Sequence, residues 1–221
     1  MAELDFINAV HRSTKRDYLG RVTEVDKAWA AEKAVRFDYD YWDGSRQTGY
    51  GGYRYDGRWR AVADALIAHY RIAPGARILD VGCGKGFLLH DFAEAVPELE
   101  LAGIDISRYA LDHAMDSVKP YLVEGNAATL PWPDHHFDFV VSITTLHNLF
   151  LPDLFSAVRE IERVGRGGAK YIVVESYRNE REKVNLMYWQ LTCRAFLTPR
   201  DWSWVFEETG YRGDHGLIYF E

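Results

Sequence analysis

The chain predicts an α/β protein with a doubly wound, mostly parallel sheet of six or seven strands and helices on both faces, and three observations carry that expectation. Ile78-Leu79-Asp80-Val81 reads as an apolar strand that runs into the alternating glycines Gly82, Gly84 and Gly86 and then opens a helix. Leu101-Ala102-Gly103-Ile104-Asp105-Ile106 reads as a second strand ending in a carboxylate, 25 residues beyond Asp80, about where a doubly wound sheet places its ribose-binding acid. Strand-like and helix-like segments then alternate as far as residue 175.

Taken in order, Thr14 to Phe37 is rich in helix formers, with Tyr18, Val22, Val25 and Trp29 at three- and four-residue steps, which predicts an amphipathic helix outside the sheet. Arg58 to Tyr70 reads as another, and Pro74-Gly75 breaks the chain before the first strand. The pattern then gives strand 77–81, helix 86–95, strand 100–105, helix 107–118, strand 120–124, strand 138–143, helix 152–164 and strand 170–175. Ser107 suits an N-cap, and Thr198-Pro199-Arg200-Asp201 combines a cap, a first-turn proline and a capping-box acid for a last helix that Gly210 stops. Tyr211 to Glu221 has room for a very short hairpin turning at Gly213 to Gly216, or for one strand with a seventh strand missing. The organisation expected is an N-terminal helical and aromatic extension over 1–59, acting as a substrate lid, and one domain over 60–221.

The glycines let the backbone turn sharply off the strand and approach a ligand more closely than a Cβ permits. Their spacing, with Asp80-Val81 directly before, differs from the GxGxxG of nicotinamide and flavin enzymes, in which a pyrophosphate sits on the helix N-terminus. Together with Asp105, Gly125-Asn126-Ala127 and Phe137-Asp138-Phe139-Val140-Val141-Ser142, residues 60 to 175 resemble the class I S-adenosylmethionine-dependent methyltransferases, four motifs falling in that family's order. The resemblance implies a Rossmann-like fold with S-adenosyl-L-methionine as cofactor. It implies that Asp80 and the loop of Gly82, Cys83, Gly84 and Gly86 hold the methionine part. Asp105 then holds the ribose, Asn126 and Ala127 border the adenine, and Ile106 is counted among the cofactor-binding residues. Many members have an acid where Asn126 stands; an amide oxygen can accept the same bond.

Composition narrows the class. A net charge of −7 without a cluster of Lys and Arg argues against an extended nucleic-acid surface, and no apolar run is long enough to cross a bilayer. Two cysteines, Cys83 and Cys193, make no disulfide framework, and the start lacks the pattern of a signal peptide, so a cytoplasmic location is expected. His135-His136 has no acids at ligand spacing and predicts no metal site. The sequence carries no mark of oligomeric state.

Methyl transfer also needs an acceptor held in line, with a base where the acceptor arrives protonated. In open parallel sheets the ligand cleft lies beyond the carboxyl ends of the strands, where three segments are expected to meet. Thr144-Thr145-Leu146-His147 follows the fourth strand; Thr144 reads as a substrate residue and His147 as a general base or, equally, a hydrogen-bonded core histidine. Glu175-Ser176-Tyr177-Arg178 ends the fifth, Glu175 being a second catalytic candidate or a structural partner of an arginine, and Arg178 a substrate residue. Phe37 to Trp59 holds 8 of the chain's 32 aromatic residues, more than twice an even share. Tyr41, Tyr50, Tyr53 and Tyr55 within it are read as substrate residues of a lid, the alternative being a satellite core.

The function expected is S-adenosylmethionine-dependent transfer of a methyl group to an amine or hydroxyl of a small polar metabolite, without nucleic-acid or membrane partners. Asp38, Asp40 and Asp43 lean toward a cationic amine, whereas a phosphate-bearing or sugar acceptor would use Arg54, Arg58 and Arg178. The competing expectations are a protein or RNA methyltransferase and a non-catalytic S-adenosylmethionine-binding protein.

Overall fold

The computed structural model describes residues 1–221, apart from the side chains of Asn8 and Ala9. Helices α1 (Asn8–Arg12), α2 (Gly20–Thr23), α3 (Lys27–Ala34), α4 (Tyr39–Trp42) and α5 (Arg60–Tyr70) precede β1 (Arg77–Val81). There follow α6 (Phe87–Ala95), β2 (Glu100–Asp105), α7 (Arg108–Asp112), β3 (Leu122–Glu124), β4 (Phe139–Ile143) and α8 (Leu151–Val164). The chain closes with β5 (Lys170–Glu175), α9 (Glu180–Trp189), α10 (Pro199–Thr209) and β6 (Asp214–Ile218).

The strands form one six-stranded sheet in the order β3-β2-β1-β4-β5-β6. Every neighbouring pair runs parallel. Buried on both faces, the strands send successive side chains to opposite layers. Ile78, Phe139, Val141 and Val173 meet Val62 and Leu66 of α5 and Leu89 and Phe92 of α6. Leu79, Val140, Ile172 and Val174 meet Leu154, Val158 and Ile161 of α8 and Trp202 and Phe206 of α10. Among the described residues no helix is long and apolar enough to cross a membrane.

Three local expectations change. The segment from Thr14 to Phe37 is broken into short helices because Asp17 accepts the Gly20 N–H at 2.9 Å and Asp26 caps α3 at Ala28 and Trp29, each acid turning the chain. Trp29, expected on the buried face, is 47 % exposed, and Ala30 and Ala34 face inward instead. The helix expected to reach residue 118 ends at Asp112, where the chain turns so that the Met115 N–H donates to the Lys85 carbonyl of the glycine turn at 3.0 Å. At the C-terminus there is one parallel strand and no hairpin; the outer edge of β6 is met by Ala2 to Leu4, with Leu4 N–H donating to His215 O at 2.8 Å and His215 N–H to Ala2 O at 3.0 Å.

Helix α10 begins as the sequence predicts, Thr198 and Asp201 forming a reciprocal capping box. This cap bears on the site because α10 carries Trp202, whose indole N–H donates to the Glu175 carbonyl at 3.0 Å. Thr198→Ala is expected to lower stability by about 1 kcal/mol, read as a shift of the urea midpoint without a change in its slope.

Candidate active site

The sheet reverses its winding between β1 and β4, and the crevice at their carboxyl ends is where such folds seat a ligand. A cavity of about 680 Å³ opens there, within the range of small-molecule sites. Its floor is the glycine turn. Gly82 has φ +83°, and a Cβ on it would stand 2.0 Å from the Thr145 hydroxyl; Gly84 has φ +53°, and a Cβ there would meet the Trp42 ring at 2.8 Å. Only glycine fits both positions. Gly86 caps α6 in the left-handed region and does not line the cavity.

Asp80 is 4 % exposed, lines the cavity and has no hydrogen-bond partner among the described residues. Burial, with the charge of Asp105 second, pushes its carboxyl up to about 8. Asp105 accepts Gly84 N–H and Ser107 N–H, each at 2.8 Å, and its remaining lone pairs are open to a diol. Ile106, 58 % exposed, offers an apolar surface to the cavity beside it. Asn126 and Ala127 line the same end; the Asn126 side-chain oxygen accepts the Ala128 N–H at 2.9 Å. Cys83 is buried there, and burial raises its thiol well above the ordinary range. An unpartnered buried carboxylate, a glycine floor and an acid with spare lone pairs fit a cofactor that has an ammonium and a ribose.

The other end is built by β4, β5 and α9. Thr144 lines the cavity with φ +55°, a conformation that costs a β-branched residue about 1–3 kcal/mol and is held at functional sites. His147, 2 % exposed, has its Nε2 3.3 Å from Glu175 Oε2, while its Nδ1 accepts the Glu175 backbone N–H at 3.4 Å. The ring proton therefore sits on Nε2, and burial pushes the imidazole down to about 3. Burial also pushes the Glu175 carboxyl up to about 8. Glu175 Oε1 accepts from the Gln190 amide, whereas Oε2, though near His147, makes no aligned hydrogen bond among the described residues.

Six of the eight aromatics between Phe37 and Trp59 line the cavity: Phe37, Tyr41, Trp42, Tyr50, Tyr53 and Trp59. They are fixed to its floor as well. Trp42 Nε1 donates to Ser107 Oγ at 2.9 Å, and Tyr53 stacks on Phe87 of α6 at 4.9 Å between centroids. Lys85, in the glycine turn, reaches Asp43 at 2.7 Å and the Tyr53 carbonyl at 2.9 Å. Tyr50 is 36 % exposed and lines the cavity.

Two expected substrate residues lie elsewhere. Tyr55 donates to Asp91 on α6 at 2.5 Å and does not line the cavity, and Arg178 is held by Glu182 and Glu221 outside it. The acids that favoured a cationic acceptor are also occupied. Asp38 caps α4, Asp40 pairs with Lys33 at 3.3 Å and Asp43 holds Lys85 and Tyr109. Helix α9, which brings Trp189 and Gln190 to the cavity, has no counterpart among the elements predicted from the sequence. Asn179, which accepts the Glu182 N–H at 3.0 Å, was the available signal, being a cap three residues before an acid.

The site therefore belongs to the nucleotide-cofactor class of doubly wound folds. Residues 79–173 match the family model described as a methyltransferase domain. The chain is 36 % identical over 127 residues to demethylmenaquinone methyltransferase of Lysinibacillus sphaericus (strain C3-41), covering 55 % of this chain and 52 % of that protein. It thus spans about half the length of that curated relative. Among solved structures it resembles a SAM-dependent methyltransferase from Aquifex aeolicus (TM-score 0.51, 19 % identity, 67 % of this chain and 78 % of the other). It also resembles the [4+2]-cyclase SpnF (TM-score 0.53, 20 % identity, 87 % and 69 %). Residues 79–173 are thus similar to a methyltransferase domain, which agrees with the S-adenosylmethionine-dependent class that the motifs resemble.

Gly84→Ala is expected to cost about 2 kcal/mol through the left-handed φ and the clash with Trp42. Urea titration reads the loss, and altered tryptophan fluorescence reports the displaced indole.

Proposed function

We propose that the chain transfers a methyl group from S-adenosylmethionine to a hydroxyl or amine of a small molecule, with Glu175 as the proton acceptor. The observation that carries this reading is Glu175 itself, a buried carboxylate on the cavity wall whose Oε2 has no aligned hydrogen bond among the described residues. The curated relatives are named for a small molecule, demethylmenaquinone, which supports a small-molecule acceptor here.

When bound, the cofactor supplies an electrophilic methyl on a sulfonium, so the protein's task is alignment, exclusion of water and removal of one proton. Asp80 would pair with the cofactor ammonium, Asp105 would accept from the ribose hydroxyls, and Ile106, Asn126 and Ala127 would border the adenine. Phe37, Tyr41, Trp42, Tyr50 and Tyr53 would close the site against water, aromatic faces being suited to a sulfonium.

His147 would position Glu175 rather than take the proton itself. One ring nitrogen already accepts a backbone N–H, the other carries the proton toward Glu175, and an imidazole pushed down to about 3 is a weak base at neutral pH. Glu175, raised to about 8, has a basicity better matched to the task.

Calorimetry is expected to show S-adenosylhomocysteine binding with no comparable affinity for NAD. Glu175→Gln should lower kcat by a factor of about 10²–10⁴ and leave S-adenosylhomocysteine affinity within about twofold; an unchanged kcat would sink the assignment. A base acts as its carboxylate, so kcat is expected to rise roughly tenfold per pH unit below about 8 and to level off above it. In Glu175→Gln that limb should vanish.

A further inference from the structure

At the acceptor end of the cavity, three guanidinium groups surround one indole. Arg16, Arg21 and Arg46 stand 5.4, 5.1 and 5.2 Å from the Trp189 ring centroid. They come from three separate stretches of the N-terminal extension, and all three line the cavity together with Trp189 and Gln190. Among the described residues none of the three is paired with a carboxylate.

Most of their existing bonds go to backbone carbonyls, and one Arg16 guanidinium nitrogen also meets His11 Nδ1 at 3.1 Å; none of these partners is a carboxylate that would neutralise them. Arg16 donates to the carbonyls of His11 and Thr14, each at 3.1 Å, and its buried Nε has no partner among the described residues. Arg21 donates to the carbonyls of Trp189 and Arg46, and Arg46 to that of Tyr50 at 3.1 Å. Lys27 adds a fourth cation, bonded to the carbonyls of Tyr188 and Gln190 at 2.9 and 2.7 Å.

A structural explanation exists for part of this set. Lys27 and Arg21 bond carbonyls at the C-terminal end of α9, where cations are favourable. A helix end carries only about −0.5 charge, however, which does not balance four cations. Arg16 and Arg46 do not bond those carbonyls. Burial first, and then the neighbouring guanidinium, push Arg21 down to about 10 and Lys27 to about 8.

Glu175 is the acid whose charge Arg16 senses, and the Gln190 amide links Glu175 to the stretch that carries Trp189. Asp80 and Asp105, at the donor end, exert no comparable influence on these arginines.

We propose that Arg16, Arg21 and Arg46, gathered on Trp189, bind an oxyanion, carboxylate or phosphate, carried by the methyl acceptor. This rests on the reading that the acceptor is held at Glu175 and the donor at the glycine turn. The guanidinium fork matches both oxyanions in its geometry. The anionic end would anchor at Trp189 while the nucleophilic atom reaches Glu175, so anchoring at one end orients the other.

The test is calorimetric titration of the full chain with inorganic phosphate, benzoate, S-adenosylhomocysteine and 5′-methylthioadenosine, for the wild type and for Arg46→Gln and Arg21→Gln/Arg46→Gln. Expected is saturable 1:1 binding of phosphate or benzoate, weakened at least tenfold in the single variant and lost in the double. Affinity for S-adenosylhomocysteine should stay within twofold, which also certifies that the variants are folded. Absence of saturable oxyanion binding in the wild type, or binding indifferent to both variants, overturns the proposal. So does a loss of S-adenosylhomocysteine affinity with 5′-methylthioadenosine unaffected, because the arginines would then hold the donor's own carboxylate. Failure of the wild type to bind S-adenosylhomocysteine would instead strike the proposed function, and the phosphate and benzoate arms would still be read independently.

Discussion

The carboxylate of Asp105 joins three parts of the chain that the sequence keeps far apart. One oxygen takes the N–H of Gly84 and so holds the glycine turn against the end of β2; the other takes the N–H of Ser107. Ser107 in turn caps α7 through its hydroxyl and accepts the Trp42 indole N–H, which brings the aromatic segment over the turn. Bonds from backbone donors, Ser107 and Gly84 foremost, offset part of the cost of burying this acid, which would otherwise favour its neutral form. The fixed turn leaves Gly84 so close to Trp42 that a methyl group cannot intervene. Donor site and cover are therefore one construction, and the Lys85–Asp43 ion pair fastens the same two pieces a second time.

How much of this was legible follows from the range of the forces involved. The strands β1, β2 and β5 fall where apolar runs and their flanking breakers put them, because a strand buried on both faces writes its burial into consecutive residues. The capping box of α10 is equally local. The N-terminal helices were misread because the caps at Asp17 and Asp26 and the burial of Ala30 and Ala34 answer to packing, which periodicity alone does not encode. At the site, Asp80, Gly82, Gly84, Asp105, Asn126 and Ala127 follow one another along three strand ends and are read in order. The opposite end of the cavity is lined by residues 16, 21, 46, 175 and 189, with no common spacing. Arg178 illustrates the difficulty: next to Glu175 in the strand exit, it turns away to Glu182 and Glu221.

The charge arrangement sets the cavity's direction. Asp80 and Asp105 stand at the glycine-turn end, where burial raises both and favours their neutral forms until a cation pairs with them. The arginines on Trp189 gather positive charge at the other, in a chain whose net charge is −7. A ligand with an ammonium and a ligand with an oxyanion would each be drawn to one end and discouraged from the other, because low-dielectric walls strengthen both attraction and repulsion. The acids once suited to a cationic acceptor do not oppose this, since Asp40 and Asp43 are neutralised by lysines away from the cavity lining.

A glycine floor alone does not specify the reaction, since the fold is shared with a protein described as a [4+2]-cyclase. In the proposed function the chemistry turns on Glu175 and the His147 beside it. Burying a carboxylate with one unaligned oxygen is costly unless that oxygen has work to do or becomes protonated. A purely structural pairing would align the Nε2–H on Oε2, because a full hydrogen bond would then offset the burial of both groups. Instead the backbone N–H of Glu175 fixes the imidazole, Trp202 and Gln190 fix Glu175, and the buried Oε2 is left 3.3 Å from His147 Nε2 without an aligned bond among the described residues. In the proposed function this rigid support lets Glu175 take a proton without first reorganising.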